Sequence, residues 1–428
     1  MNYLFKNIRV ISPIEGIDDH RNLLIAQDGT ILHSSQTQPA IPENTMEIEA
    51  QSMIAAPGFV DMHVHLREPG QEYKETIETG TRAAANGGFT DIVCMPNTSP
   101  ALDSKITLDY VKHKAQGKIV NVHVCAATTV GREGNTLTPM IELLEAGAIM
   151  FSDDGSCIES AEVMKRAFDY AAPFDALLTQ HCEEHSMTKN FVMHEGKVSA
   201  DLGVKGYPSV AEELIVSRDI QLANYCGNRR YHVSHMSTKG SVDLVRKAKQ
   251  NGQRISCEVT PHHFVLTDEA IKEYGTHAKM NPPLREQSDI NAILDGLKDG
   301  TIDAIATDHA PHAEHEKHCE LALAANGITG IETCVGLSVK YLVKSGVLSI
   351  NRLVELLSTG PRTVLKLPQP SLENNAKACI TILDSEAVWQ VHKEAMQSKS
   401  MNTPFLSWEL VGKPLFVFNN GQVFESLL

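Results

Sequence analysis

The most constraining feature of the sequence is an alternation of short apolar segments with amphipathic segments, which begins near residue 54. Eight apolar segments are predicted strands, at 58–65, 91–95, 119–126, 147–152, 176–181, 230–235, 255–260 and 302–307. The predicted helices between them include 75–86, 138–146, 161–172, 210–225, 241–251 and 288–299. Eight strand–helix units in roughly 310 residues are typical of an α/β protein with a TIM-type (β/α)₈ barrel. In that fold the chemistry lies at the C-terminal ends of the strands.

The two ends of the chain have a different pattern from the middle. Helices predicted near 331–345 and 350–358 complete the alternating region, and no helical period occurs before it. Short strand-like runs, suggestive of small antiparallel strands, occur at 7–11, 22–26, 379–383 and 415–418. We therefore predict that residues 1–53 and 366–428 pair into one small β domain beside a barrel of residues 54–365.

Composition excludes several classes of function. The formal net charge of -15, with no Lys/Arg-rich run, argues against nucleic-acid binding, so an anionic ligand needs a local positive site. No run of apolar residues approaches the length of a membrane span. Nine cysteines without a Cys-x-x-Cys pair suit reduced thiols. We expect a cytoplasmic protein without a membrane partner.

The stretch Asp61–Gly70 contains a candidate metal-binding pair. His63 and His65 end the first predicted strand, where residues two apart point to the same side, and Arg67 follows just beyond them. With 19 histidines in the chain, roughly one His-x-His pair is expected by chance. The pair is therefore informative only if other strand ends supply further ligands.

The other predicted strand ends do supply metal-binding side chains. The polar residues found there are Asn97, Asp153, Asp154, His181, His235, Asn281, Asp308 and His312. Nitrogen and carboxylate ligands suit Zn²⁺ or another late divalent ion better than Ca²⁺ or Mg²⁺. Four histidines and two aspartates are too many for one tetrahedral zinc that keeps an open position. The set predicts two ions that share a bridging carboxylate.

Six motifs in this order resemble the signature set of the dihydroorotase family, in its class I branch within the amidohydrolase superfamily. They are D-M-H-V-H-L-R-E-P-G, C-M-P-N, F-S-D-D-G, Q-H-C-E-E, K-M-N-P-P-L-R and A-T-D-H-A-P-H, and the flanking strands resemble the small β domain of that family. The resemblance implies that His63, His65 and Asp308 bind one metal, while His181 and His235 bind the other. It implies that Arg67, Asn97 and His312 bind the substrate carboxylate and that Asn281 contacts the ring.

The bridging ligand is where this sequence departs from many relatives of that superfamily. Those relatives use a carboxylated lysine near the end of strand four, whereas this chain has no lysine there before Lys165. The bridge is therefore expected to be a carboxylate, from Asp154 or, as the alternative, Asp153. Glu183 and Glu184 are expected to be solvated or to contact ligands rather than bind metal.

The resemblance implies a zinc-dependent dihydroorotase. Such an enzyme catalyses the reversible cyclisation of N-carbamoyl-L-aspartate to L-dihydroorotate plus water in pyrimidine biosynthesis. Asp308 would act as the general acid and base. Arg67 would bind the carboxylate of the small anionic substrate in bidentate fashion and so supply the local positive site.

Two alternative functions are compatible with the sequence. One is another cyclic amidase on the same fold, such as dihydropyrimidinase or allantoinase, against which stand Arg67 and the missing lysine. The other is a non-catalytic barrel that associates with aspartate transcarbamoylase, against which stands the full set of metal ligands. A homodimer and an association of the active enzyme with aspartate transcarbamoylase are also open.

The remaining histidines and one long segment lie outside this set of site residues. His309, His315 and His318 lie in a polar run that predicts a loop over the barrel mouth, with solvated side chains. His262 and His263 follow strand seven, where they could line the pocket. Residues 186–207 predict a long surface insertion without assigned structure.

Overall fold

A computed structural model describes the whole chain, Met1–Leu428, and contains the predicted barrel. Its eight parallel strands are Phe59–Val64, Phe89–Cys94, Asn121–Ala127, Ala148–Ser152, Leu178–Gln180, Tyr231–Val233, Ile255–Val259 and Ala304–Ile305. Neighbours in the sheet follow chain order. A parallel bridge between Val64 and His309 joins the first strand to the end of the eighth. The prediction of a (β/α)₈ barrel is confirmed, and each strand overlaps its predicted segment.

Helices on the outside of the barrel connect the strands. The main ones are Ile77–Asn86, Lys105–Ala115, Met140–Glu145, Ala161–Ala171, Ser209–Tyr225, Lys239–Gln250, Gln287–Asp299, Cys334–Ser338, Ile350–Val354 and Gly360–Leu365. Side chains of Thr76, Ser104 and Thr238 accept hydrogen bonds from the first turn and so fix where their helices begin. The helix Lys105–Ala115 is absent from the predicted set, because only three of its residues are buried and its apolar period is weak.

A second sheet of eight strands is built from both ends of the chain. Its strands are Asn2–Ser12, Ile17–Ile25, Ile31–Ser35, Thr45–Glu49, Met53–Pro57, Ile380–Gln390, Glu409–Asn419 and Gln422–Glu425. Most pairings in this sheet are antiparallel, as expected, and Asn2–Ser12 in addition pairs in parallel with two later strands, one along each half.

The strand Met53–Pro57 passes directly into the first barrel strand through Gly58, and it spans the boundary predicted between residues 53 and 54. A Cβ at Gly58 would lie 2.2 Å from Thr90 Oγ1, so the close approach of sheet and barrel requires glycine here. The division into two domains stays a prediction.

Three apolar clusters hold these layers together. The largest, of 63 buried residues, fills the space between the barrel strands and the helices, and a cluster of 15 lies in the terminal sheet. A cluster of 13 joins Trp389, Phe405 and Leu410 of the C-terminal part to Leu266 and Met280 beyond strand seven. The C-terminal segment is thereby packed against the mouth of the barrel.

The insertion at residues 186–207 contains two short helices, His185–Thr188 and Lys197–Leu202. A two-stranded parallel sheet pairs Met193–His194 with Gly206–Tyr207. The helices of the chain do not combine the length and apolarity that a bilayer crossing requires.

Candidate metal centre and substrate pocket

The predicted site residues lie together at the C-terminal ends of the barrel strands. A pocket of about 270 Å³ there is lined by His65, Arg67, Asn97, Asp154, His181, His235, Asn281, Asp308 and His312, together with Gly155, Ala310, Asn326 and Gly327. His63 lies beneath this lining and is completely buried. All ten predicted residues therefore converge on one place, although their roles stay predictions.

One group of possible ligands combines His63, His65 and Asp308, whose ligand atoms all lie within 4.8 Å of one another. His65 Nε2 is 2.9 Å from Asp308 Oδ1, and His63 Nε2 is 3.7 Å from the same oxygen. His65 Nδ1 donates to Asn97 Oδ1 at 2.8 Å. That bond orients the imidazole so that Nε2 faces the centre of the group.

A second group combines His63, Asp154 and His235, whose ligand atoms also lie within 4.8 Å of one another. Asp154 Oδ1 lies 3.3 Å from His63 Nε2 and 3.5 Å from His235 Nε2. It also lies 3.9 Å from His181 Nδ1, and Asp154 Oδ2 is 3.6 Å from His65 Nε2. Asp154 thus sits among all four histidines.

The neighbouring carboxylate, Asp153, faces away from this centre. It accepts a hydrogen bond from the backbone N–H of Thr129 at 2.9 Å and another from the hydroxyl of the same residue. Since both of its oxygens are engaged there, Asp154 is the better placed of the two candidates for a bridging ligand.

Two atoms at the centre support a cation site. His63 Nε2 and Asp154 Oδ1 are buried and have no hydrogen-bond partner. Buried polar atoms without a partner are rare in native proteins, because each carries an uncompensated desolvation cost. A divalent ion would satisfy both atoms. The imidazole and carboxylate donors fit Zn²⁺ or a similar late divalent ion.

The electrostatics of the centre are dominated by close pairs of opposite charge. Burial lowers the pKa of His63, but the carboxylates of Asp154 and Glu258 outweigh burial and raise it well above its usual value. Burial raises the pKa of Asp308, but His65 and His63 outweigh it and hold this pKa well below its usual range. The carboxylates are therefore ionised at neutral pH.

Glu258 is a residue that the sequence analysis missed. It lies in strand seven, fully buried, and its Oε1 accepts from His63 Nδ1 at 2.9 Å. Its Oε2 accepts from His232 Nε2 at 3.2 Å. Because Nδ1 of His63 is turned toward Glu258, Nε2 is the ring nitrogen that faces the predicted metal centre. The available signal was an acidic residue inside the largely buried strand Ile255–Val259.

Glu183 contacts a predicted ligand rather than solvent. It is buried, its Oε2 lies 3.0 Å from His181 Nε2, and it accepts from Asn281 Nδ2 at 2.7 Å. Of the two roles predicted for it, contact with a ligand histidine is the one observed. Glu184 caps the short helix that follows.

The predicted substrate side of the pocket is formed around Arg67. The guanidinium is buried, Nε donates to the carbonyl of Pro311 at 3.1 Å, and Nη2 lies 3.5 Å from His312 Nε2. Arg67, His235 and Asp308 all have positive φ angles, of 60°, 30° and 47°. Non-glycine residues adopt this conformation rarely, and such residues cluster at functional sites.

The other histidines near the mouth divide into buried and exposed ones. The prediction that His309 is solvated is wrong: it is 1% exposed, because its backbone closes the barrel between Val64 and Ile328. His315 and His318 are exposed, as predicted. His262 and His263 are buried but do not line the pocket.

Comparisons with known proteins agree with this geometry. A family model described as dihydro-orotase-like matches residues 52–241. The dihydroorotase of Citrifermentans bemidjiense is 47% identical over 424 residues, and that of Chlorobaculum tepidum is 43% identical over 437 residues; each match covers 99% of both chains.

Solved structures share the fold. L-hydantoinase (dihydropyrimidinase) from Arthrobacter aurescens superimposes with a TM-score of 0.87 at 22% identity, over 99% of this chain and 96% of that one. D-hydantoinase (dihydropyrimidinase) from a Thermus species superimposes with a TM-score of 0.82 at 24% identity, over 99% and 95% of the two chains. At these identities the likeness concerns the fold alone.

Proposed function

The chain belongs to the dihydroorotase family, and from that premise we propose that its pocket interconverts N-carbamoyl-L-aspartate and L-dihydroorotate, the reversible ring closure of pyrimidine biosynthesis. The protein is thus a hydrolase that acts on a cyclic amide. The observation that carries the proposal is the position of Asp154 among four imidazoles in a pocket that Arg67 also lines. The Asp154 carboxylate and the four imidazoles fit metal-assisted amide chemistry, and the Arg67 guanidinium fits an anionic substrate.

The proposed cofactor is a pair of zinc ions. One would be held by His63, His65 and Asp308, and the other by His181 and His235, with Asp154 shared between them. The support is the donor set and the two partnerless atoms at its centre. When bound, the ions supply Lewis acidity, which lowers the pKa of water and polarises an amide carbonyl.

Asp308 is the proposed proton carrier. Its carboxylate is held ionised by the neighbouring imidazoles, and Oδ1 lies beside His65 Nε2 at the wall of the pocket. In hydrolysis it takes a proton from the attacking water and returns it to the ring nitrogen that leaves. In ring closure the same carboxylate moves the proton in the opposite direction.

Substrate recognition is proposed to rest on Arg67, Asn97 and His312 at the carboxylate and on Asn281 at the ring. Since Nε of Arg67 is anchored to a backbone carbonyl, the remaining guanidinium edge is free for a carboxylate. Asn281 donates to Glu183 and has a buried Oδ1 without a partner, which is free to accept from a ring N–H.

The second candidate function is hydrolysis of a neutral cyclic amide, which the shared fold with the hydantoinases favours. Arg67 argues against it, because a buried guanidinium facing a neutral ring would stay unpaired. The strand Ala148–Ser152 and the residues after it also offer an aspartate rather than a lysine as the bridge.

The test combines metal analysis with parallel assays of dihydroorotate, dihydrouracil and allantoin on the purified chain. We expect about two zinc ions per chain and turnover of dihydroorotate alone. Preferential turnover of dihydrouracil would favour the second candidate, and zinc well below one ion per chain would favour a non-catalytic partner of aspartate transcarbamoylase. Light scattering with and without that enzyme tests the predicted homodimer and the predicted association.

Arg67→Lys tests directly whether the pocket recognises a substrate carboxylate. Lysine keeps the charge but loses the planar, two-pronged geometry. We expect KM for carbamoyl aspartate to rise roughly tenfold or more, since charge-assisted hydrogen bonds to a carboxylate contribute about 1.5–3 kcal/mol. The melting temperature should change little, and an unchanged KM would remove Arg67 from the carboxylate site.

A further inference from the structure

Asn402 forms a side-chain bridge that no part of the proposed site accounts for. It lies in the C-terminal segment, outside the barrel, and is 2% exposed. Its Oδ1 accepts from the backbone N–H of His312 at 2.9 Å. Its Nδ2 donates to the carbonyls of Ala310 and Gly327, each at 3.0 Å. Both amide hydrogens are therefore used, and both go to backbone groups beside the pocket.

The groups that Asn402 joins are the two ends of the loop that follows strand eight. This loop leaves the barrel at Ala310 and returns at Gly327, and both residues line the pocket. The two ends touch, since a Cβ at Gly327 would lie 2.7 Å from Ala310 Cβ, and Gly327 has a φ of +133°. Within the loop, His312 Nε2 donates to the carbonyl of Asn326 at 2.8 Å. Asn402 thus fixes the frame that carries His312.

The segment that supplies Asn402 is itself held firmly. Ser400 Oγ donates to the carbonyl of Lys74 at 2.6 Å, in the loop after strand one. Phe405 is completely buried in the apolar cluster at the mouth. Lys74 in turn pairs with Glu316 at 2.8 Å, inside the loop after strand eight. Because its own segment is anchored in this way, Asn402 can hold the loop after strand eight in a fixed position.

We propose that Asn402 is a positioning residue for the reaction: it holds His312 and Gly327 in place at the end of the pocket that receives the substrate carboxylate. The proposal rests on the role assigned to His312 in the proposed function. Asn402 makes no side-chain hydrogen bond to any predicted metal ligand. Its effect should therefore appear in substrate binding, with zinc binding unchanged.

Asn402→Ala removes all three side-chain bonds, so that the loop ends are held together by the backbone bond from Ala310 N–H to the Ile328 carbonyl without the asparagine bridge. We expect KM for carbamoyl aspartate to rise roughly tenfold while kcat changes by less than about threefold, since each lost bond to a buried group weakens the frame but not the proton carrier. Zinc content should equal that of the wild type. Asn402→Ser, which keeps a hydroxyl able to accept from His312 N–H, should give a smaller rise and serves if the alanine variant does not fold.

Asn419→Ala is the matched control. Asn419 is also a buried asparagine of the C-terminal part, at 4% exposure, and its Nδ2 also donates to two carbonyls, those of Thr90 at 3.0 Å and Ile119 at 2.7 Å. Those carbonyls lie at the N-terminal ends of strands two and three, on the opposite side of the barrel from the pocket. Its loss should lower the melting temperature by a similar amount and leave KM unchanged.

A double-mutant cycle with His312→Ala measures whether the effect of Asn402→Ala on KM depends on His312. If Asn402 acts through His312, Asn402→Ala raises KM in the wild-type background and adds little once His312 is gone. The same factor in both backgrounds, or a KM no higher than that of Asn419→Ala, would overturn the inference and leave the proposed function standing. If His312→Ala alone leaves KM unchanged, the carboxylate site of the proposed function fails, and the role of Asn402 fails with it.

Discussion

The buried carboxylates of the protein differ in their neighbours. We call Asp154, Glu258 and Asp308 the first group, and Glu332 represents the second group. Asp154, Glu258 and Asp308 lie among imidazole rings, at 2.9 to 3.3 Å in their closest pairs. Glu332 instead accepts hydrogen bonds from Asn86 Nδ2 at 2.7 Å and from backbone N–H groups of the C-terminal segment. Burial is nearly complete in both groups, so it does not distinguish them.

The two groups differ in the direction of their pKa shifts. Burial raises the pKa of every one of these acids, but in the first group the imidazoles outweigh burial, so the pKa of Glu258 falls to about 2. At Glu332 burial prevails and raises the pKa to about 7. Glu75 is intermediate, because burial raises its pKa but contact with His309 and hydrogen bonds from Ser398 and Thr79 together outweigh burial and lower it. A buried carboxylate thus indicates a cation site only where nitrogen ligands surround it and central atoms lack partners.

The largest effect is expected where the first group loses its central imidazole. His63→Ala removes the ring that is common to the two observed clusters of possible ligands, His63, His65, Asp308 and His63, Asp154, His235. Zinc content should fall below one ion per chain and turnover by about 10³-fold or more, because the Lewis acidity is lost. Metal analysis and the cyclisation assay measure both. His318→Ala, at an exposed histidine, is the control, and full activity with unchanged metal in His63→Ala would contradict the predicted site.

Asp308→Asn removes the negative charge of one carboxylate in the first group and keeps the size of its side chain. The amide keeps the size of the side chain but cannot carry the proton, so kcat should fall by about 10²–10⁴-fold. Dihydroorotate should still bind, which equilibrium binding to the variant measures. Near-normal turnover would remove Asp308 as the acid and base, whereas lost zinc would show that its role as a ligand dominates.

Glu258→Gln tests whether the Glu258 carboxylate, which contacts His63, affects the affinity of the site for metal. The amide replaces the charge that holds the proton on His63 Nδ1. Partners of this kind typically change metal affinity by about 10–100-fold, so zinc should dissociate at lower chelator concentration. The measurement is a chelator titration beside the wild type. Identical titration curves would limit Glu258 to packing.

Part of this architecture was predictable from the sequence because it depends on local patterns. Buried barrel strands are continuous apolar runs, and the residue after each run marks the mouth, which is why His181 and His235 were found without any contact data. Glu258 contacts His63, 195 residues away in sequence, and Asn402 contacts His312, 90 residues away, so no spacing reveals them. His309 was misjudged because barrel closure, a tertiary event, buries a polar run.

The smallest effect, and the one that tests the second group, is a change in the pH dependence of stability. The pKa of Glu332 is raised from 4.5 to about 7 in the folded protein, so between those values the folded state holds a proton that the unfolded state has released. The stabilisation from this group is fully present below about pH 4.5 and is lost as pH rises through about 7, an amount on the order of 3 kcal/mol. Glu332→Gln cannot titrate.

Urea unfolding of wild type and Glu332→Gln at pH 5 and pH 8 measures this difference. The variant should gain stability relative to the wild type between the two pH values, by on the order of 3 kcal/mol, while its zinc content stays unchanged because its contacts include no predicted ligand. Glu425→Gln, on the exposed last strand, is the control and should show no such gain. Equal pH dependence in wild type and Glu332→Gln would mean that the proton is not held there, and the contrast between the two carboxylate groups would then fail.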